Sequence, residues 1–192
     1  VRCDDYQGGC IAAPHLLELG HRHFLYLPGP KYNLSQTRRY AGIMDALSEA
    51  NVPASNIREI DYHTVFGSSA ESTSSYKPYE ELFFPVNYTA VIGFNDLQSY
   101  SAMEILQKKG YRIPEDISLI SFDHLRKTHT YLPPLTSIAD NSEKSIADTA
   151  VSILLDKIRN PSSEISSEVL PVSIFDDHTT AVSYTHLRAH ET

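Results

Sequence analysis

Two polar residues stand where apolar runs end. Asn95 follows Ala90 to Phe94, and Asp123 follows Ile117 to Phe122. Both runs have the β-branched and aromatic content of buried strands. A carboxamide both donates and accepts hydrogen bonds, whereas a carboxylate only accepts. Open α/β sheets bind ligands at the carboxyl ends of their strands, so this pair points to recognition of a polar molecule. Other constellations are poorer. His21 and His23 have a spacing that metals can use, though no metal site is expected. Asp123 and His124 are neighbours on a strand and would point to opposite faces, so they make no catalytic dyad. Glu80 and Glu81 read as a solvated helix face. No phosphate loop, dinucleotide fingerprint or zinc spacing is present.

The elements that must position Asn95 and Asp123 form a strand–helix–strand unit. Asp96 is a candidate cap for a helix over Leu97 to Lys109, with Ala102, Ile105 and Leu106 on one face. Gly110 suits the position just past its end. Such a crossover joins parallel strands. Upstream, Val1 to Asp5 reads as the end of a strand, and Gly8-Gly9 open a helix stopped by Gly20. Pro14 lies inside that helix, where it costs up to about 3 kcal/mol unless the helix starts late. Phe24 to Leu27 is a strand. Ser35 caps an amphipathic helix whose positions Tyr40, Ile43, Met44, Leu47 and Ala50 follow helical spacing. Gly42 within it costs roughly 1 kcal/mol relative to Ala, which close packing would explain. Ile57 to Tyr62 is a short strand, and Tyr76 to Phe84 the remainder of a helix. Leu135 to Ile138 is a strand, and Asp140 with Glu143 suggests a capping box for a helix reaching Ile158. Val169 to Phe175 is the last strand. The alternation predicts a parallel α/β architecture.

Composition narrows the function class. The chain is 41% hydrophobic, enough for a core, and its formal charge is −8. That charge argues against broad binding to nucleic acid or anionic membranes. No run approaches the roughly 18 apolar residues of a membrane span, and no secretory signal opens the chain. Two cysteines, Cys3 and Cys10, imply no disulfide framework and fit a reducing cytoplasm.

Five segments taken in order carry a resemblance: DDYQGG, HLLELGHRHFLYLPGP, SQTRRYAG, GFNDLQSYSAMEILQKKGYRIPEDISLISFDH and PPLTSI. Together they resemble the lactose-repressor/galactose-repressor (LacI/GalR) family of transcription regulators, over roughly Val1 to Ala181. The resemblance implies a periplasmic-binding-protein-like type I fold, with parallel sheets and flanking helices in two lobes around an effector cleft. It implies a complete second lobe and a partial first one. Residues 1–20 would end the first lobe, 21–134 form the second, 135–160 return to the first, and 161–181 supply C-terminal strands of the second. Residues 182–192 (VSYTHLRAHET) resemble nothing in the family and read as a non-native tail.

The resemblance also assigns roles. Arg39 matches an effector-binding arginine, Asn95 the amide of an Asn-Asp pair, and Asp123 the carboxylate after an aromatic. Asn33 and Ser35 match a loop lining the cleft, and Tyr62 an aromatic that packs on the effector. A forked donor, a two-way amide and an acceptor suit the vicinal hydroxyls of a sugar. Each has a plainer alternative: Arg39 paired on the surface with Asp45 or Glu49, Asp123 capping a turn, Asn95 ending its strand, Tyr62 packing between lobes. Departures from the family pattern are Ser121 for a usual Gly, His124 for Asp or Asn, and Pro14 in a regular helix. The expected partners are a small-molecule effector and a second copy, as a homodimer. Operator DNA would be bound only through an N-terminal head, and neither a cofactor nor a membrane is expected. These residues contain no basic helix-turn-helix. The competing readings are a solute-binding protein of an importer, which shares the fold, and an enzyme on this fold, for which no catalytic group is apparent.

Overall fold

The computed structural model describes residues 1–60, 79–142, 145–162, 164 and 167–183. Six strands form the main sheet: β2 (Phe24–Leu27), β3 (Ile57–Glu59), β4 (Ala90–Gly93), β5 (Ser118–Phe122), β6 (Thr136–Asp140) and β8 (Val172–Phe175). Their order is β3-β2-β4-β5-β6-β8. All neighbours are parallel except β6 and β8, which run antiparallel. A separate two-stranded parallel sheet pairs β1 (Arg2–Cys3) with β7 (Val169–Leu170).

The central strands are buried on both faces, so their sequences read as unbroken apolar runs. Alternate side chains serve two cores. Phe24, Tyr26, Ala90, Ile92, Ile120 and Phe122 face helices α1 (Asp5–Glu18) and α2 (Leu34–Glu49), meeting Ala12, Leu16, Ile43 and Leu47. Leu25, Leu27, Val91 and Leu119 face helix α3 (Asp96–Lys108), meeting Ala102, Ile105 and Leu106, with Phe83 from a 3-10 turn at Tyr79–Phe83. The result is three layers, helices on both sides of one sheet.

Several local expectations shift. The first helix opens at Asp5, capped by Asp4, and runs through Pro14 without stopping. The ring deletes the N–H that would reach back one turn, a cost the tight packing of this helix offsets. Asn33, not Ser35, caps α2, and Asn95, not Asp96, caps α3. Helix α4 (Ile146–Arg159) is capped by Ser145 rather than Asp140; Glu143 lies outside the described residues. Pro171, which has no N–H to donate, splits the last strand into β7 and β8, which belong to different sheets. The short strand after α2 ends at Glu59, and Tyr76 lies outside the described residues. Gly20 and Gly110, expected helix stops, both have φ +89°.

Helix α1, assigned to the first lobe, packs on α2 and the main sheet, because Ala12, Ala13 and Leu16 complete that core. Strand β6, assigned to a return to the first lobe, pairs with β5 in the same sheet. What stands apart from the main sheet is the β1–β7 pair. Helix α4 keeps Val151, Leu154 and Ile158 more than half exposed, an apolar face that nothing in the described chain covers. Residues 176–181 lie back on the main sheet: the Thr179 hydroxyl donates to Leu119 O, and Ser183 N–H reaches Leu19 O. Residues 184–192 lie outside the described residues.

Candidate functional site

The site is built around Arg39. One face of α2 carries this side chain toward the carboxyl ends of β4 and β5, where it is only 10% exposed. Nε donates to Asp5 Oδ1 at 2.8 Å, one Nη to Phe94 O at 2.7 Å, and the other to Asp123 Oδ1 at 3.0 Å. The rings of Phe94 and Phe122 lie 5.2 and 4.6 Å from its Cζ. A buried charge persists when it is paired and hydrogen-bonded, and here three elements supply the partners. The surface pairing with Asp45 or Glu49 is not what Arg39 makes; Asp45 instead accepts from the Tyr6 hydroxyl at 2.9 Å.

Asp123 presents its carboxylate from a turn. Its side chain is 41% exposed, against 5% for Asp5. Asp123 can therefore meet a ligand while Asp5 serves as the buried counter-ion. Beside them lies a cavity of about 330 Å³, walled by Cys3, Asp5, Arg39, Phe122, Asp123 and Asp140 among others. Lys127 and the first residues of α4 complete its rim. Burial pushes the Cys3 thiol pKa up, and the charges of Asp5, Asp140 and Asp123 add to this against the opposing effect of Arg39.

The other expected contacts fall differently. Asn95 follows Phe94, whose carbonyl Arg39 holds, but its Oδ1 accepts Gln98 N–H at 3.0 Å as the cap of α3. Asn33 Oδ1 accepts from the N–H groups of Ser35 and Gln36. Neither Asn33, Ser35 nor Asn95 lines the cavity. Tyr62 lies outside the described residues. Arg39 and Asp123 are therefore brought into contact, and Asn95 follows Phe94, whose carbonyl accepts from Arg39. Asp5 was missed: the sequence shows DDYQGG but not which carboxylate an arginine 34 positions away will take.

Two of the departures from the family pattern, and His21, find physical explanations. Ser121, in place of a small glycine, is fully buried and accepts from the Ser99 hydroxyl at 2.8 Å. That hydroxyl also explains Gly93, where a Cβ would lie 1.9 Å from Ser99 Oγ. His124 stacks on Phe175 with centroids 4.4 Å apart. His21 engages both ring nitrogens, with Thr89 Oγ1 at 2.8 Å and Ala181 O at 3.0 Å, so they are committed to structure rather than to a metal. Among the described residues no group of three or more potential ligands could hold a metal ion, and no helix is long and apolar enough to cross a membrane.

Residues 13–180 match the model of the periplasmic binding protein-like domain. The HTH-type transcriptional repressor PurR of Escherichia coli O139:H28 is 34% identical over 170 residues, 86% of this chain and 47% of that protein. PurR of Mannheimia succiniciproducens is 31% identical over 156 residues, 81% of this chain and 45% of that protein. The chain thus spans about half the length of these relatives. A LacI family regulator from Enterococcus faecium with bound ribose superposes with a TM-score of 0.76 at 26% identity, covering 95% of this chain and 65% of that one. A periplasmic binding protein/LacI regulator from Alkaliphilus metalliredigens, complexed with D-xylulofuranose, gives 0.71 at 28% identity, covering 93% and 64%. The chain belongs to the periplasmic binding protein-like family, in the form of a LacI-family effector-binding domain.

Proposed function

We propose that this chain senses a small uncharged polyol, of the size of a furanose sugar, for a transcriptional repressor. The observation that carries this reading is the contact of the Arg39 guanidinium with the half-exposed Asp123 carboxylate, at the carboxyl ends of parallel strands and beside a cavity of about 330 Å³. A sugar hydroxyl both donates and accepts, so one diol can bridge the two charged groups, giving a hydrogen bond to each. Phe122 supplies an apolar wall. Relatives that are transcriptional repressors favour this role over that of an importer component. The regulator acts in the cytoplasm as a homodimer and reaches operator DNA through a segment outside this chain. The effector works by binding one of two lobe arrangements better than the other. Neither a cofactor nor a catalytic step enters this scheme.

Calorimetric titration of the full-length regulator with D-ribose and D-xylulose tests it. One of these sugars is expected to bind the wild type, and Asp123→Asn is expected to weaken it by about tenfold or more, the effect of losing a charge-assisted hydrogen bond. Equal binding by Asp123→Asn, or no binding of either sugar, would contradict the reading.

A further inference from the structure

Two residues with side chains adopt left-handed backbone where Asp123 is presented: Asp123 at φ 96° and His124 at φ 48°. Each such residue costs roughly 1–2 kcal/mol, so something must hold the turn. Three consecutive N–H groups are accounted for. Asp123 donates to Ile138 O at 3.0 Å, His124 to Ser137 Oγ at 2.9 Å, and Leu125 to Asp96 Oδ2 at 2.7 Å. The Ser137 hydroxyl that accepts from His124 in turn donates to Asp96 Oδ1 at 2.8 Å. Both oxygens of one carboxylate therefore close the network, directly at Leu125 and through Ser137 at His124.

Asp96 does not need to be buried to serve its helix, since Asn95 is the cap. Yet it is 1% exposed, and Ser137 is wholly buried. Burial pushes the Asp96 carboxyl up from its ordinary range, opposed by the Leu125 N–H and by the hydroxyls of Ser137 and Ser121, while the Asp123 charge adds to the rise. An amide of the same size would avoid the cost of a buried charge, but it offers only one acceptor oxygen for the two donors.

We propose that Asp96, acting partly through the Ser137 hydroxyl, is the positioning residue of the effector site: it fixes the left-handed turn that aims Asp123 at Arg39. The inference rests on the proposed effector role of Asp123, but the positioning itself is measurable without a ligand. Hydrogen exchange followed by NMR on the full chain would compare wild type with Asp96→Asn, Ser137→Ala and Ser137→Thr. The His124 and Leu125 amides and the Arg39 Nη–H that donates to Asp123 are expected to exchange about tenfold faster in Asp96→Asn, as for loss of one hydrogen bond to a charged group. Ser137→Ala should loosen His124 most, and Ser137→Thr, which keeps the hydroxyl, should restore it. Amides of β2 and β4 should stay protected throughout. Unchanged exchange at His124, Leu125 and Arg39 would overturn the proposal, and so would acceleration spread equally over β2 and β4, which marks a merely structural role. Should Asp96→Asn fail to fold, the Ser137→Ala and Ser137→Thr pair decides on its own. A loosened turn with undiminished D-ribose binding would overturn the effector role of Asp123 and leave the positioning of its carboxylate supported.

Discussion

Arg39 spends its guanidinium on Asp5, on the carbonyl of Phe94 and on Asp123, and these partners differ in exposure. Removing the arginine would strand the Asp5 carboxylate, which is 5% exposed. Loss of one partner from a buried pair costs about 3–5 kcal/mol. Arg39→Ala is therefore expected to lower the urea midpoint strongly, and Arg39→Ala combined with Asp5→Asn to recover part of that loss. Full additivity of the two substitutions would contradict the pairing. Asp123→Asn, at a half-exposed position, should leave stability nearly unchanged and so separates binding from folding. His21 gives a pH prediction. Burial, its largest influence, lowers its pKa from the ordinary value near 6.5. The unfolded chain then takes up a proton before the folded one does. Stability is present above pH 6.5 and falls as the pH drops below it toward the depressed folded value. In His21→Asn this part of the pH dependence of the thermal midpoint should vanish. At this scale the sequence was legible where a motif fixed the residue. Arg39 and Asp123 do meet. Asn95 and Asn33 read as ligand groups, with the caps expected at Asp96 and Ser35, whereas their side-chain oxygens are used as caps. Asp5 was illegible because only the packing of α1 on α2 brings it to the arginine.

Helices α1 and α2 approach each other through glycines. A Cβ on Gly42 would lie 2.2 Å from Tyr6 O, and one on Gly9 2.3 Å from Arg39 O. These are backbone atoms that cannot step aside, so Gly42→Ala forces the helices apart. Overpacking of this kind costs typically about 1–3 kcal/mol. Because the same contact sets the distance from Asp5 to Arg39, Gly42→Ala should also shift the Arg39 Nε resonance, which a stability loss elsewhere would not do. An unchanged resonance would mean that the ion pair does not depend on the helix spacing. Gly42 stood out in the sequence as a costly residue in a good helix, and close approach is the reason. The strands were legible because each is a short apolar run between turn residues. The boundaries were less so: Asp4, Asn33, Asn95 and Ser145 won the caps over neighbours of similar chemistry. The break at Pro171 was hidden inside a run that reads as one strand, because which sheet each half joins is decided by partners far along the chain.

For the whole molecule, a single sheet with helices on both sides gathers Arg39, Asp5 and Asp123 from three distant parts of the chain. Local pattern does not say which sheet α1 and β6 join, since each looks alike whichever sheet it serves. The exposed Val151, Leu154 and Ile158 of α4 predict that the 192-residue chain binds a hydrophobic dye such as ANS in its folded state. The double change Leu154→Gln and Ile158→Gln should abolish most of that signal without lowering the thermal midpoint, and undiminished dye binding would place the exposed apolar surface elsewhere. The central claim is that the Arg39–Asp123 pair is where the effector is read. It is tested most directly by following the Arg39 guanidinium and Asp123 carboxyl resonances as D-ribose, and separately D-xylulose, is added to the full-length regulator. Saturable shifts of both groups with one of the two sugars are predicted. Binding of a sugar that leaves both resonances in place would contradict the claim.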